Sequence, residues 1–165
     1  MKTLYLLRHS KSSWDHTEIS DFDRPLNERG YSDAHLMGQS LFEKKINPDL
    51  IISSPAIRAM STALIFSLHL KYPVDQIRIR KDLYDSTMKH YLQIIAEVEE
   101  VSSIMLAGHN ETITEIAQKL STQRILELKT CAVVALEFDI RSWKEIGTSK
   151  GKLIFHFDPN TIKDS

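Results

Sequence analysis

The chain holds a single cysteine, Cys131, so it can form no internal disulfide, and its apolar neighbours make it a small core side chain. No apolar run approaches the roughly 20 residues a helix needs to cross a bilayer. The first run, Leu4-Tyr5-Leu6-Leu7, is cut short by Arg8 and His9, which denies it a signal-peptide layout and makes cytoplasmic residence the expectation. Neither sign of charge dominates. With 21 Lys and Arg against 22 Asp and Glu, the formal net charge is −1, so there is no global pull toward nucleic acid or a membrane. Any affinity for an anion must come from a local cluster. The His-x-His and His-Glu-x-x-His spacings are missing and no second cysteine can join a histidine, which disfavours zinc. Repeats, low-complexity tracts and linkers are lacking too. At 165 residues, 42% hydrophobic and 26% charged, the chain suits one globular domain, expected over 1–158 with a C-terminal tail at 159–165.

What the sequence does contain is an alternation of short apolar runs and helical periods. The runs fall at 4–7, 50–52, 104–107, 132–138 and 153–157. Between them, Asn27 can cap a helix that turns Ala34, Met37 and Leu41 inward. Ser54 followed by Pro55 reads as an N-cap and first position of a helix to about residue 70. A further helix over 87–98 stacks Leu92 and Ile95, and one capped by Asn110 carries Ile113, Ile116, Ala117 and Leu120 on one face. Alternating strands and helices predict an α/β fold: a three-layer α/β/α sandwich around a mostly parallel sheet. The last two runs, close together, suggest a hairpin and an antiparallel edge. Residues 10–25 have no periodicity of their own, and a loop of that length in a compact domain is more often functional than idle.

Three of the runs end alike. The first ends in Arg8-His9, the second leads through Ser53-Ser54-Pro55 to Arg58, and the third ends in Gly108-His109-Asn110. Open α/β sheets bind ligands outside the carboxyl ends of their strands, so four basic side chains are expected at one edge. Arg58 in the first turn of a helix opposes the helix dipole, which is reasonable if an anion binds there. The group suits phosphoryl transfer, which asks for positive charge around the equatorial oxygens and an aligned nucleophile. Arg8 and Arg58 can hold those oxygens, while one neutral histidine attacks phosphorus and the other donates a hydrogen bond.

These three motifs in this order resemble the signatures of the histidine phosphatase superfamily, the phosphoglycerate mutase-like family. The short chain, Arg8-His9-Ser10-Lys11-Ser12, and the segment from Ser20-Asp21-Phe22-Asp23-Arg24-Pro25 to Gly30 are most similar to its phosphohistidine phosphatase (SixA) group. The resemblance implies that His9 becomes phosphorylated and that Arg8, Arg58 and His109 form the phosphate pocket, with no metal or cofactor. Two departures stand out. Ser10 replaces the usual glycine, either narrowing the approach to His9 or adding a hydroxyl to bind phosphate. No glutamate stands near Leu83-Tyr84-Asp85, where many members keep a proton donor. Asp85 is the substitute expected there, with Asp21 or Asp23 of the long loop as others. If the substrate is a phosphohistidine, the leaving imidazole needs little acid assistance.

The expectation is therefore a metal-independent phosphatase acting through phospho-His9 on protein phosphohistidine. Its partner would be a phosphorylated protein such as a phosphohistidine signalling protein, not nucleic acid or membrane. The alternatives are a phosphatase of small phosphomonoesters and a catalytically silent phosphate- or phosphoprotein-binding module. A mutase is disfavoured by the short connections, which leave only residues 10–25 to close the site. Trp14 can stack on a substrate or anchor the loop. Of the remaining histidines, His16 is set aside, and His35 and His69 read as surface or boundary residues of helices. His156 alternates with Phe155 and Phe157 and faces away from them, and His90, near a helix start close to Asp85, stays open.

Overall fold

In the computed structural model, which describes residues 1–15 and 17–164, six strands form one sheet in the order β3-β2-β4-β1-β5-β6. These are β1 (Lys2–Arg8), β2 (Leu50–Ser53), β3 (Arg78–Ile79), β4 (Ser103–Gly108), β5 (Val133–Phe138) and β6 (Lys152–Phe157). The first four run parallel, while β5 is antiparallel to both β1 and β6. The antiparallel strand is thus an interior one, and the edge strand β6 again points the way of β1. Between β5 and β6 the chain makes a 3₁₀ turn at Trp143–Thr148, so the pair is a wide hairpin. The two-residue β3, both of whose residues are exposed, is too short to leave an apolar run in the sequence.

The pleat sorts the core into two. Leu4, Leu6, Leu50, Ile52, Ile104 and Leu106 pack on one face with helices α3 (Met88–Ala96) and α4 (Thr112–Leu120). Leu7, Ile51, Met105 and Ala107 pack on the other with α1 (Glu28–Glu43) and α2 (Ile57–His69). This is the expected three-layer α/β/α sandwich. No helix among the described residues is long and apolar enough to cross a membrane.

Two expected caps are used otherwise. Asn27 does cap α1, accepting from the Gly30 N–H at 2.7 Å. By contrast, α2 begins only at Ile57 with no side-chain cap, and the Ser54 hydroxyl lies 2.7 Å from His109 Nε2. Asn110 likewise does not cap α4: its Oδ1 accepts from Thr114 Oγ1 at 2.5 Å and its Nδ2 donates to Glu127 at 3.0 Å. The segment expected as a tail carries a short helix, α5 (Pro159–Lys163), capped by Asp158 and tied to α1 by Lys163–Asp33 at 3.0 Å. His16 and the last tail residue, Ser165, lie outside the described residues.

Gly30, in the first turn of α1, sits against the backbone of Lys11: a Cβ there would lie 2.0 Å from the Lys11 carbonyl oxygen. An exposed helical glycine replaced by alanine gains about 1 kcal/mol. Here the overlap is with main chain, which cannot rotate away, so the sign reverses. Gly30→Ala is expected to lose about 1–3 kcal/mol of stability in urea unfolding, as overpacked sites do.

Candidate active site

Sheet register places the functional residues. Arg8 pairs with Gly108 across β1 and β4, and Ser53 pairs with Ala107 across β2 and β4, so three adjacent strands end at one level. From those ends the chain delivers Arg8-His9, Ser54 with Arg58 in the first turn of α2, and His109. Backbone bonds fix the turns: His9 N–H donates to the Gly108 carbonyl at 3.1 Å and Ser54 N–H to that of Ala107 at 3.0 Å. Tyr91 holds the third turn from below. Its hydroxyl donates to the Leu83 carbonyl at 2.8 Å and accepts the His109 N–H at 3.1 Å.

These residues surround a cavity of about 290 Å³, lined by Arg8, His9, Arg58 and His109 and by Arg24, Trp14 and Lys11 from the long loop. Three buried polar atoms of the described residues have no hydrogen-bond partner: Arg8 Nε, Arg58 Nε and His109 Nδ1. All three belong to side chains lining this cavity. Orphaned buried donors are rare and costly, and three on side chains lining one cavity single that cavity out as a candidate acceptor site.

The two imidazoles are held in defined states. His9 Nδ1 donates to the Ser10 carbonyl at 2.6 Å, so in the neutral ring Nε2 carries a free lone pair. Burial, then the nearby His109, Arg58 and Arg8, push its pKa down to about 3 against the raising effect of that hydrogen bond. Burial and Arg58 take His109 down to about 4. Ser54 Oγ, 2.7 Å from His109 Nε2, accepts from the Ala56 N–H, and its own proton has no other acceptor among the described residues. It therefore goes to Nε2 and leaves Nδ1 as the donor. The rings lie 5.3 Å apart, one presenting a lone pair and the other an N–H.

The loop supplies a residue that the sequence did not single out. Arg24 is buried: its Nη1 donates to Ser12 Oγ at 2.6 Å, and its guanidinium stacks 3.6 Å from the centre of the exposed Trp14 ring. The signal was an arginine between acidic residues and proline in a loop following the Arg-His pair, with no periodicity to show which way it folds back. Asp21 then joins the cluster. Its carboxylate accepts from Arg58 Nη2 at 3.1 Å, Arg24 Nε at 3.1 Å and the Tyr84 hydroxyl at 2.7 Å. The Tyr84 hydrogen bond, with Arg58 and Arg24, holds its pKa down at about 2, so Asp21 stays ionised as a clamp on two arginines and is no proton reservoir.

Two expected site residues stand elsewhere. Ser10 is fully buried, and its hydroxyl donates to the Gly30 carbonyl at 2.7 Å. That commits its single proton to packing α1 against the loop, so it does not serve the phosphate pocket. Asp85 is exposed, in the left-handed region at φ 48°, and does not line the cavity. Among the described residues no carboxylate lines it, and no cluster of three or more metal-ligating side chains forms.

Because His9 and His109 are held below the ordinary histidine pKa near 6.5, the unfolded chain binds more protons than the folded one below that pH. Their contribution to stability is complete above about pH 6.5 and is lost progressively as pH falls through about 4 for His109 and about 3 for His9. Urea unfolding at pH 7, 6 and 5 should show a falling midpoint, with a shallower fall in His9→Asn. The clamp predicts that Asp21→Asn weakens binding of inorganic phosphate by about tenfold, the loss of one charge-assisted network, while Asp21→Glu restores part of it.

A family model of the histidine phosphatase superfamily (branch 1) matches residues 4–100. An Arabidopsis thaliana chloroplastic protein of uncharacterised function is 33% identical over 153 residues, 87% of this chain and 70% of its own. The 2,3-bisphosphoglycerate-dependent phosphoglycerate mutase of Bifidobacterium longum is 41% identical over 64 residues, which are 38% of this chain but 26% of the mutase. Among solved structures, a protein assigned as the phosphohistidine phosphatase SixA of Agrobacterium tumefaciens superposes with a TM-score of 0.81 at 28% identity, over 96% of this chain and 98% of its own. With the family model covering more than half its length, the chain belongs to the histidine phosphatase superfamily, branch 1.

Proposed function

We propose that the protein is a phosphatase that works through a phosphohistidine on His9 and acts on protein phosphohistidine. The observation that carries this reading is the pairing of a neutral His9, its Nε2 lone pair free, with three arginines lining the same cavity and no carboxylate lining it among the described residues. In the first step Nε2 attacks phosphorus as the bond from phosphorus to the substrate nitrogen breaks. The leaving imidazole departs with the proton it already carries or takes one from water. In the second step water attacks phosphorus, the bond to Nε2 breaks, and inorganic phosphate leaves with His9 restored. Arg8, Arg24 and Arg58 neutralise the equatorial oxygens, and His109 Nδ1–H donates to them. The protein's own groups supply all of this, without metal or cofactor.

The leaving group separates this reading from its rivals. An alkoxide needs a general acid, and losing one costs about 10²–10⁴-fold. Asp21 is ionised and committed to arginines, and Asp85 stands outside the cavity. A phosphorylated nitrogen asks for neither. The similarity to a protein assigned as a phosphohistidine phosphatase over nearly the whole of both chains supports the same substrate class.

Turnover of a phosphohistidine protein should label His9 with acid-labile phosphate, and His9→Ala should show neither label nor turnover. An unlabelled His9 alongside intact activity would sink the mechanism, and unaltered function in His9→Ala would favour a silent binding module. The kcat/KM for phosphohistidine should exceed that for sugar phosphates by about 10²-fold or more, the size of the missing acid catalysis. A preference for the esters would favour the phosphomonoesterase reading. Asp85→Asn should keep kcat within about twofold, against the 10²-fold or greater loss of a true general acid.

A further inference from the structure

Beside the phosphate cavity lies a second cleft of about 120 Å³, bounded by Lys11, Arg29, Asp33, Lys129, Thr130 and Asp158. Lys11 and Thr130 line both spaces, so the two adjoin across that pair. The carboxylates of the cleft are already engaged. Asp33, only 5% exposed, is held by Lys163 at 3.0 Å and by Arg29 at 3.5 Å. Asp158 caps α5, accepting the Thr161 N–H at 2.9 Å. The two lysines are not engaged: neither Lys11 nor Lys129 enters an ion pair among the described residues. Both spring from fixed backbone, with the Lys11 carbonyl accepting the Asn27 N–H and the Lys129 carbonyl the Ala132 N–H, each at 3.0 Å. In a chain of net charge −1, two ammonium groups outside any ion pair among the described residues, both lining a cleft beside a phosphate pocket, make a local positive extension of it.

We propose that this cleft is a second anion subsite, which receives a carboxylate tethered to the transferring phosphoryl group. The proposal rests on the reading of the larger cavity as a phosphate site. A carboxylate here meets two mobile point charges, so the subsite ranks substrates by charge without demanding one geometry. Two sources share this chemistry: an acidic side chain flanking a phosphorylated residue, and the second acid group of a small phosphate ester.

Calorimetric titration of the intact protein with non-hydrolysable phosphonates separates the subsite from catalysis. Phosphonoacetate, 3-phosphonopropionate and 4-phosphonobutyrate are compared with alkyl phosphonates of equal length. At least one carboxylated member should bind about 3- to 10-fold tighter than its alkyl match, the worth of one or two exposed ion pairs. That gain should vanish in Lys129→Gln, survive in Lys129→Arg and shrink with added salt. A gain at no chain length, or one that persists in Lys129→Gln, overturns the subsite while leaving the phosphate site intact. Alkyl phosphonates that fail to bind at all, or bind Arg58→Ala as well as wild type, overturn the parent reading and the subsite with it. With the phosphonate gain in hand, phosphohistidine peptides with Glu or Ala flanks identify the source. A kcat/KM preference for Glu flanks of similar size, lost in Lys129→Gln, assigns the carboxylate to a polypeptide, and equal rates assign it to a small ester.

Discussion

The site depends first on a register. Arg8 opposite Gly108 and Ser53 opposite Ala107 bring the ends of β1, β4 and β2 to one level, with β4 between the other two. A slip of one residue in either pairing would turn a strand's apolar set to the wrong face, and the two-sided core forbids it. Leu4 and Leu6 belong to one cluster and Leu7 to the other, so the packing that specifies the sheet also aims the residues after it. The core thereby sets the site to within a side chain's reach.

On that platform the chain concentrates like charge and then manages it. Three guanidiniums and two imidazoles around one cavity would repel strongly if all were protonated. Burial keeps both rings neutral, and it outweighs the arginines as the cause. Asp21 supplies the counter-charge paired with Arg24 and Arg58, and among the described residues no carboxylate lines the cavity itself. Arg8 and Arg58 are each fixed by protein at a terminal nitrogen and unpartnered at another: Arg8 donates Nη1 to the Leu128 carbonyl and Arg58 donates Nη2 to Asp21, while both Nε atoms have no partner among the described residues.

How much of this was legible follows from where each residue sits. Arg8, His9, Arg58 and His109 stand at ends of apolar runs, and a strand end is readable because the pleat and the parallel order leave one place for it. Arg24 was not, because residues 10–25 fold by side-chain bonds to Ser12 and Asp21 that leave no period in the sequence. Ser54 looked like a helix cap because serine before proline usually is one. Its hydroxyl lies 2.7 Å from His109 Nε2 instead, because α2 begins only at Ile57 and leaves Ser54 outside the capping position. Ser10 and Asp85 are expected in the site from the family positions they occupy, the usual glycine after His9 and the usual proton-donor segment, and a shared position does not say which way a different side chain turns. The sandwich was legible, whereas the direction of β5 relative to its neighbours could be seen only as a hairpin near the edge.

The position of Asp21 makes the chemical choice intelligible. A carboxylate can donate a proton only if it holds one near neutral pH, and that requires weak stabilisation of its anion. A carboxylate can organise two arginines and a tyrosine only as the anion, strongly stabilised. One side chain cannot do both, and here the hydrogen bonds from Tyr84, Arg58 and Arg24 select the second duty. The site has therefore put its nearest acid into holding the oxyanion donors in place. That arrangement suits a leaving group which departs without help, and suits far less well an alkoxide that must be protonated as it goes.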